Sequence, residues 1–234
     1  MNTDIGIDSI SSAIRGLIQD RPQLEIIIRL CTEIESREEE SGLHVLRLIC
    51  FSIEIGKAMK LENRQLRTLA LAAPLHDIGK FFIPERILLK NGKLDDFEWK
   101  IIQEHTVLGN RLLRGSKYQD LTDAAEIVLS HHEKWDGSGY PTGLVEESIP
   151  LSARIVAVAD VFDALISKRP YKTAYPADTS LDIIREASGS HFDPRIVDAF
   201  LSRRASIEGI VGNLNPAVAG DPSFRFTEFL EGRR

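Results

Sequence analysis

The sequence predicts an all-α fold, and three observations carry that reading. Apolar residues recur at helical spacing through most of the 234 residues. Capping residues stand where several of these stretches begin. No alternating strand pattern and no Asn-Gly turn between strands interrupts them.

Taken in order, Ile7, Ile10, Ile14, Leu17 and Ile18 form a first apolar stripe, which Arg21-Pro22 interrupts. Leu24, Ile27, Ile28, Cys31 and Ile34 form a second. The run SREEES, Ser36 to Ser41, reads as a junction with a solvated acidic face. Leu43 to Met59 is the third helix, and Asn63 is the expected cap of a fourth that runs to Asp77. Asp95 with Glu98 three residues on is a capping box, and Gly115 can close the helix it opens. Leu121 to Glu133 and Pro150 to Lys168 follow, and Asp178 and Asp193-Pro194 look like N-cap starts. The chain divides into an N-terminal helical extension over 1–35, a main helical domain over 36–204 and a C-terminal tail over 205–234.

Composition narrows the function. A net charge of −6 argues against a nucleic-acid polymer as partner and shows no polybasic membrane signal. Cys31 and Cys50 sit in apolar, helix-like runs and read as buried thiols rather than a disulfide framework. No apolar run approaches the roughly 18 residues that suggest a membrane span, so no insertion is expected. The start MNTDIGIDS has no leader pattern, and the expected compartment is the cytoplasm.

The histidines carry the chemistry. The chain has six, and His44, His76, His105, His131 and His132 fall in predicted helices or at their ends. His131 and His132 are neighbours, which point about 100° apart on a helix and serve one core only awkwardly. His76 is followed at once by Asp77. Neutral imidazole suits Zn, Fe, Mn and similar ions, and a carboxylate can bridge two of them. A helix bundle can aim such ligands from several helices into its interior. Asp160 lies in the apolar run VAVADVFDAL, where an unpaired carboxylate would be costly, and Asp163 follows three residues on. Glu40 precedes His44 by four residues, the spacing of one helix face, although it is one of three consecutive glutamates and such runs are usually solvated.

The segments LHDIGKFFIPERIL, EHTVLGNRLL, HHEKWDGSGYPTGL, IPLSARIVAVADVFDALISKRPYK and GSHFDPRIVDAF, in this order, resemble the HD-GYP family from about Glu40 to Phe200. That family is the branch of the HD-domain metal phosphohydrolases that degrades bacterial cyclic dinucleotides. The resemblance implies an HD-domain helical bundle with a metal cluster in its core, and makes 36–204 the catalytic domain. It implies that His44, His76, Asp77 and Asp160 hold one metal and that His105, His131 and His132 hold a second, with Asp77 bridging. Glu40 stands where some members recruit a third ion, so two or three divalent ions are expected, iron or manganese by family habit.

The implied activity is hydrolysis of cyclic di-GMP to pGpG, GMP or both, by hydroxide generated at the metals. Asp77 would position that hydroxide and Lys80 would contact the scissile phosphate or order the water. Arg169 and Lys172 look like substrate contacts, since a guanidinium fork fits phosphate or a guanine edge. Tyr140 would line the substrate path or meet a partner, unless it and Trp135 only pack the loop. Two other readings stand beside this one: hydrolysis of hybrid cyclic GMP-AMP, and a metal-bearing module that senses cyclic dinucleotides with little turnover. Every matched ligand position is filled, which favours the enzyme. The resemblance also suggests a diguanylate cyclase domain or an upstream signalling protein as partner, and the first two helices could form a homodimer seam. His191 reads as a loop-stabilising residue. One departure from the family pattern is Glu146, where glycine is usual; a positive φ there would require the loop to rearrange.

Overall fold

The structure is a computed structural model that describes residues 26, 30, 31, 34, 43–167 and 173–214. Nine α-helices follow in order among these residues: α1 (Leu43–Ala58), α2 (Asn63–Leu75), α3 (Glu85–Leu88), α4 (Asp96–Leu113), α5 (Gln119–Ser130), α6 (Leu151–Ile166), α7 (Ala177–Glu186), α8 (Pro194–Ser202) and α9 (Arg204–Leu214). A 3-10 turn, Ile78–Phe82, links α2 to α3, and a second, Glu146–Ser148, precedes α6. The described residues hold no strand, only one isolated bridge between Ser188 and Phe192. None of their helices is long and apolar enough to cross a membrane.

Helix α1 is the axis. Almost all of it is buried, because α2, α6, α8 and α9 pack around it. A helix covered on all sides must be apolar on all sides, and LHVLRLICFSIEIGKA nearly is; of its buried exceptions, the ionisable His44, Arg47 and Glu54 are all paired, and the fourth is the small Ser52. Helix α5 packs on α2, α4 and α6, and the first 3-10 turn lies against α4. Phe162 on α6 meets Phe51 on α1 edge-on at 5.3 Å and Phe200 on α8 at 4.9 Å. Truncating a ring so enclosed costs about 3–5 kcal/mol.

The helix starts show which sequence signals governed. Asp95 caps α4 through Phe97 and Glu98, with Glu98 closing the box on the Asp95 amide. Asp193 caps α8 by accepting from Arg195, with Pro194 in the first turn. The other two caps lie elsewhere. Glu62, not Asn63, caps α2, in a capping box with Gln65. Pro176 precedes α7, and Asp178 lies inside its first turn, where a carboxylate still favours the positive end of the helix dipole. Residues 205–214, assigned to the tail by the sequence, lie in α9, whose Ile207, Ile210 and Leu214 are buried in the core. The first apolar stripe, and the chain beyond 214, lie outside the described residues.

Gly79 brings the first 3-10 turn onto α4. A Cβ there would lie 1.8 Å from the His105 carbonyl and 2.7 Å from the Gly109 nitrogen. Only hydrogen fits, so backbone meets backbone and the Asp77–Lys80 segment is held against the helix that carries His105.

Glu54 ties the end of α1 to the junction of α8 and α9. It is 3% exposed and accepts from Lys57 and from the Arg203 guanidinium. Burial alone would raise its pKa; the hydrogen bonds from Lys57 and Arg203 outweigh burial and leave it below its ordinary value of 4.5. Its stabilisation is therefore complete above pH 4.5 and is lost as pH falls through the lower folded-state value. Both cations are partly solvated, so the effect is about 1 kcal/mol. Urea midpoints of the native protein should exceed those of Glu54→Gln at pH 7, with the gap narrowing as pH falls below 4.5; a gap that does not narrow with acidification contradicts this assignment.

Candidate metal centre

Five helices deliver the polar groups of the interior. His44 stands in the first turn of α1. His76 ends α2, and Asp77 opens the 3-10 turn that carries Lys80. His105 lies within α4, His131 caps the C-terminus of α5 with His132 next, and Asp160 lies within α6. These residues form two donor groups, one of Asp77, His105, His131 and His132 and one of His44, His76 and Asp160, each with donor atoms within 4.8 Å of one another. Asp77 Oδ1 is 3.0 Å from His105 Nε2 and 3.7 Å from His131 Nε2. Its Oδ2 is 3.1 Å from His76 Nε2 and 2.8 Å from Lys80 Nζ. Asp160 Oδ1 is 3.8 Å from His44 Nε2 and 3.9 Å from His76 Nε2. Asp77 thus stands between the two groups.

Hydrogen bonds on the far side of the rings fix which nitrogen faces inward. Nδ1 of His76, His105 and His131 donates to the carbonyls of Ala73, Ile102 and Val128, each three residues back, at 2.8, 2.7 and 2.9 Å. A carbonyl only accepts, so Nδ1 carries the proton and Nε2 turns a lone pair into the interior. His44 Nδ1 likewise lies 2.7 Å from Asp163 Oδ2. The Nε2 atoms of His105 and His131 consequently face each other at 3.5 Å, both beside Asp77 Oδ1. Lone pairs and a carboxylate turned on one another repel unless protons or cations lie among them.

Protons are the weaker remedy. Burial holds His131 below its ordinary pKa and His132 well below it. Burial would raise Asp77, but His76, Lys80 and His105 outweigh it and keep the carboxyl far below the usual range. His131 and His132, held neutral by burial, beside an ionised carboxylate are the kind of donor set that a divalent cation requires. The residues present therefore fit metal ions, and nitrogen and oxygen donors without thiolate suit iron, manganese or zinc.

Asp163, whose position the sequence analysis noted without giving it a role, supports the centre. It is fully buried and accepts from His44, from Arg47 Nε at 2.5 Å and NH2 at 3.0 Å, and from Ser167. Against the effect of burial, Arg47 and His44 keep its pKa far below the ordinary value. This network joins α1 to α6, the helices that carry His44 and Asp160. Removing one member of a buried ion pair costs about 3–5 kcal/mol. Arg47 escaped the sequence analysis altogether; its signal was an arginine inside an apolar helix, three residues after His44.

The loop after His132 is built on Glu133, which the sequence analysis also passed over. Its buried carboxylate accepts from the amide and hydroxyl of Thr142 and from the amide of Leu144. Gly139 lies against this anchor, where a Cβ would be 2.3 Å from the Lys134 nitrogen. Trp135 is a packing residue: Arg154 and Arg195 lie over its ring at 5.6 and 5.9 Å. The Tyr140 ring leans over His132 at 4.8 Å, so it borders the donor groups directly. His191 stacks on Phe192, and its carbonyl accepts from the Trp135 amide, a loop-stabilising arrangement. Glu146 adopts the positive φ of 51° that its position suggested, without being glycine, and its amide donates to the Trp135 carbonyl. A non-glycine residue at this φ is strained.

Seven of the eight donors proposed from the sequence come together, four in one group and three in the other. Lys80 lies at the same place, its Nζ on Asp77 Oδ2. Glu40, Arg169 and Lys172 lie outside the described residues.

Known proteins share these features. The sequence pattern of the HD domain matches residues 27–196. A cyclic di-GMP phosphodiesterase response regulator of Xanthomonas campestris is 45% identical over 195 residues, which are 83% of this chain and 52% of that protein. A cyclic di-GMP phosphodiesterase of Thermotoga maritima is 45% identical over 75% of this chain and 48% of its own length. A 3'3'-cGAMP-specific phosphodiesterase of Vibrio cholerae is 40% identical over 78% and 36%. The chain thus spans about half or less of the length of these curated relatives. Among solved structures, a cyclic GMP-AMP specific phosphodiesterase of Vibrio cholerae superposes with a TM-score of 0.59 at 21% identity, over 80% of this chain and 50% of that one, a likeness of fold. With the helical architecture, the HD pair at His76-Asp77 and the GYP loop at Gly139-Tyr140-Pro141, these matches establish that the chain belongs to the HD domain family, in its HD-GYP branch.

Proposed function

We propose that the protein is a metal-dependent phosphodiesterase that hydrolyses cyclic di-GMP to pGpG, GMP or both. The observation that carries this reading is the pair of adjoining donor groups with Asp77 between them. His44, His76, Asp77 and Asp160 would hold one cation, and Asp77, His105, His131 and His132 the other. Iron or manganese is the proposed metal, with Glu40 the candidate for a third ion. Bound divalent cations would lower the pKa of water toward neutrality and offset charge on the phosphate. Their local positive charge also answers how a chain of net charge −6 can take an anionic substrate.

The chain's own residues do the rest. Asp77, ionised beside the Lys80 ammonium, would orient the attacking water with its carboxylate. Lys80 is anchored on Asp77, and an ammonium with three N–H donors can serve a phosphate oxygen as well. Asp163 holds His44 in the tautomer that presents Nε2. Arg169 and Lys172 are the proposed contacts to the phosphate or guanine of the substrate. The catalytic domain would run from 36 through α9 to 214, because α9 packs into the same core, and a helical extension would precede it.

Three relatives named for 3'3'-cGAMP, at 40%, 35% and 32% identity, support a second reading in which the hybrid cyclic GMP-AMP is the preferred substrate. Product chromatography with both cyclic dinucleotides, after anaerobic loading with Fe²⁺ or Mn²⁺, separates the two readings. Binding without turnover of either would instead make the domain a sensor.

Asp77→Ala should abolish turnover and deplete bound metal in both positions; full metal content with full activity refutes the assignment. Asp163→Asn should weaken metal affinity by about 10- to 100-fold, the usual effect of losing a partner behind a ligand. Its activity should return in excess metal, with folding followed by circular dichroism. Arg169→Ala should raise KM while leaving metal content unchanged, and loss of metal in that variant would remove Arg169 from its role.

A further inference from the structure

The aromatic side chains beside the donor groups form a line that leads out of the site. Tyr140 leans over His132 with its centroid at 4.8 Å and an interplanar angle of 31°. It also lies 6.4 Å from His105. Trp99, on the N-terminal half of α4, meets the outer side of Tyr140 edge-on at 6.3 Å and 77°. Tyr140 is partly buried, but Trp99 is 47% exposed. The other tryptophan is held between two guanidinium groups; Trp99 has a large part of its ring in water, next to a site built for an anion.

A cyclic dinucleotide places two purines on a small ring of two phosphodiesters. When one phosphodiester lies at the donor groups, its bases must lie beside the mouth of the site. An indole face there can stack on a purine and gains surface burial that it lacks in the free protein. Resting on the phosphodiesterase reading above, we infer that Trp99 is a stacking platform for one purine base of the substrate, with Tyr140 bracing it on the inner side. Every purine offers a π face, so the platform serves guanine and adenine alike and does not choose between cyclic di-GMP and the hybrid. It grips the base equally in ground state and transition state, so it lowers KM and leaves kcat alone.

The test uses the metal-loaded full chain in a Trp135→Phe background, so that Trp99 is the sole source of indole emission, and a non-hydrolysable phosphorothioate analogue of cyclic di-GMP. The analogue should quench Trp99 fluorescence along a saturable curve whose Kd matches its inhibition of turnover. Trp99→Ala should raise that Kd, by calorimetry, and the KM for both cyclic dinucleotides by about 5- to 100-fold, with kcat and metal content kept. Trp99→Phe should recover most of the loss. If the analogue binds but the emission and the Trp99→Ala affinity do not change, the platform is refuted and the phosphodiesterase reading stands. If neither the analogue nor a cyclic dinucleotide binds at all, the substrate reading fails and takes the platform with it.

Discussion

The structure turns on one constraint: buried lone pairs must not face each other uncompensated. His44, His76, His105, His131, Asp77 and Asp160 are brought from five helices into a common interior. Each of the first four spends its Nδ1 on an acceptor behind it, which commits Nε2 to the centre. The surrounding architecture serves that commitment. Helix α1 is apolar so that it can run through the middle of the bundle, and Gly79 lacks a side chain so that Asp77 can approach α4.

Much of this was legible in the residues. Periodicity and the Asp95 and Asp193 caps were sufficient for an all-α bundle, because capping boxes and Asp-Pro starts are local chemistry. The seven donors were legible because histidine and aspartate are rare in apolar helices and their motifs are specific. The supporting residues were not. Arg47 and Asp163 lie 116 positions apart and Glu54 and Arg203 lie 149 apart, so neither partner announces the other in the sequence. Glu133 sat inside a quoted motif, yet its task of holding Thr142 and Leu144 is visible only once the loop is folded. The cap of α2 shifted by one residue because Glu62 and Gln65 make a capping box that competes with Asn63. Helix α9 was not legible because Gly209 and Gly212 lower its helical propensity and no capping residue marks its start.

Glu146 shows how a departure from a pattern can be absorbed. The residue takes the left-handed conformation that glycine would take without strain. The amide that donates to Trp135 is the same whatever the side chain, so the backbone contact survives and only the local strain differs.

The Asp163–Arg47 clasp has a consequence for how the protein meets its ions in a cell. It ties α1 to α6 by charges that belong to the chain itself, so the cavity's outline does not wait for an ion to draw it. A receptacle shaped in advance favours cations whose radius and preferred geometry it matches, and among ions that fit it equally the ordinary ranking of divalent affinities applies. Where several ions fit, the element that occupies it would follow the cellular supply of each metal, so the state of the centre would track nutrient status.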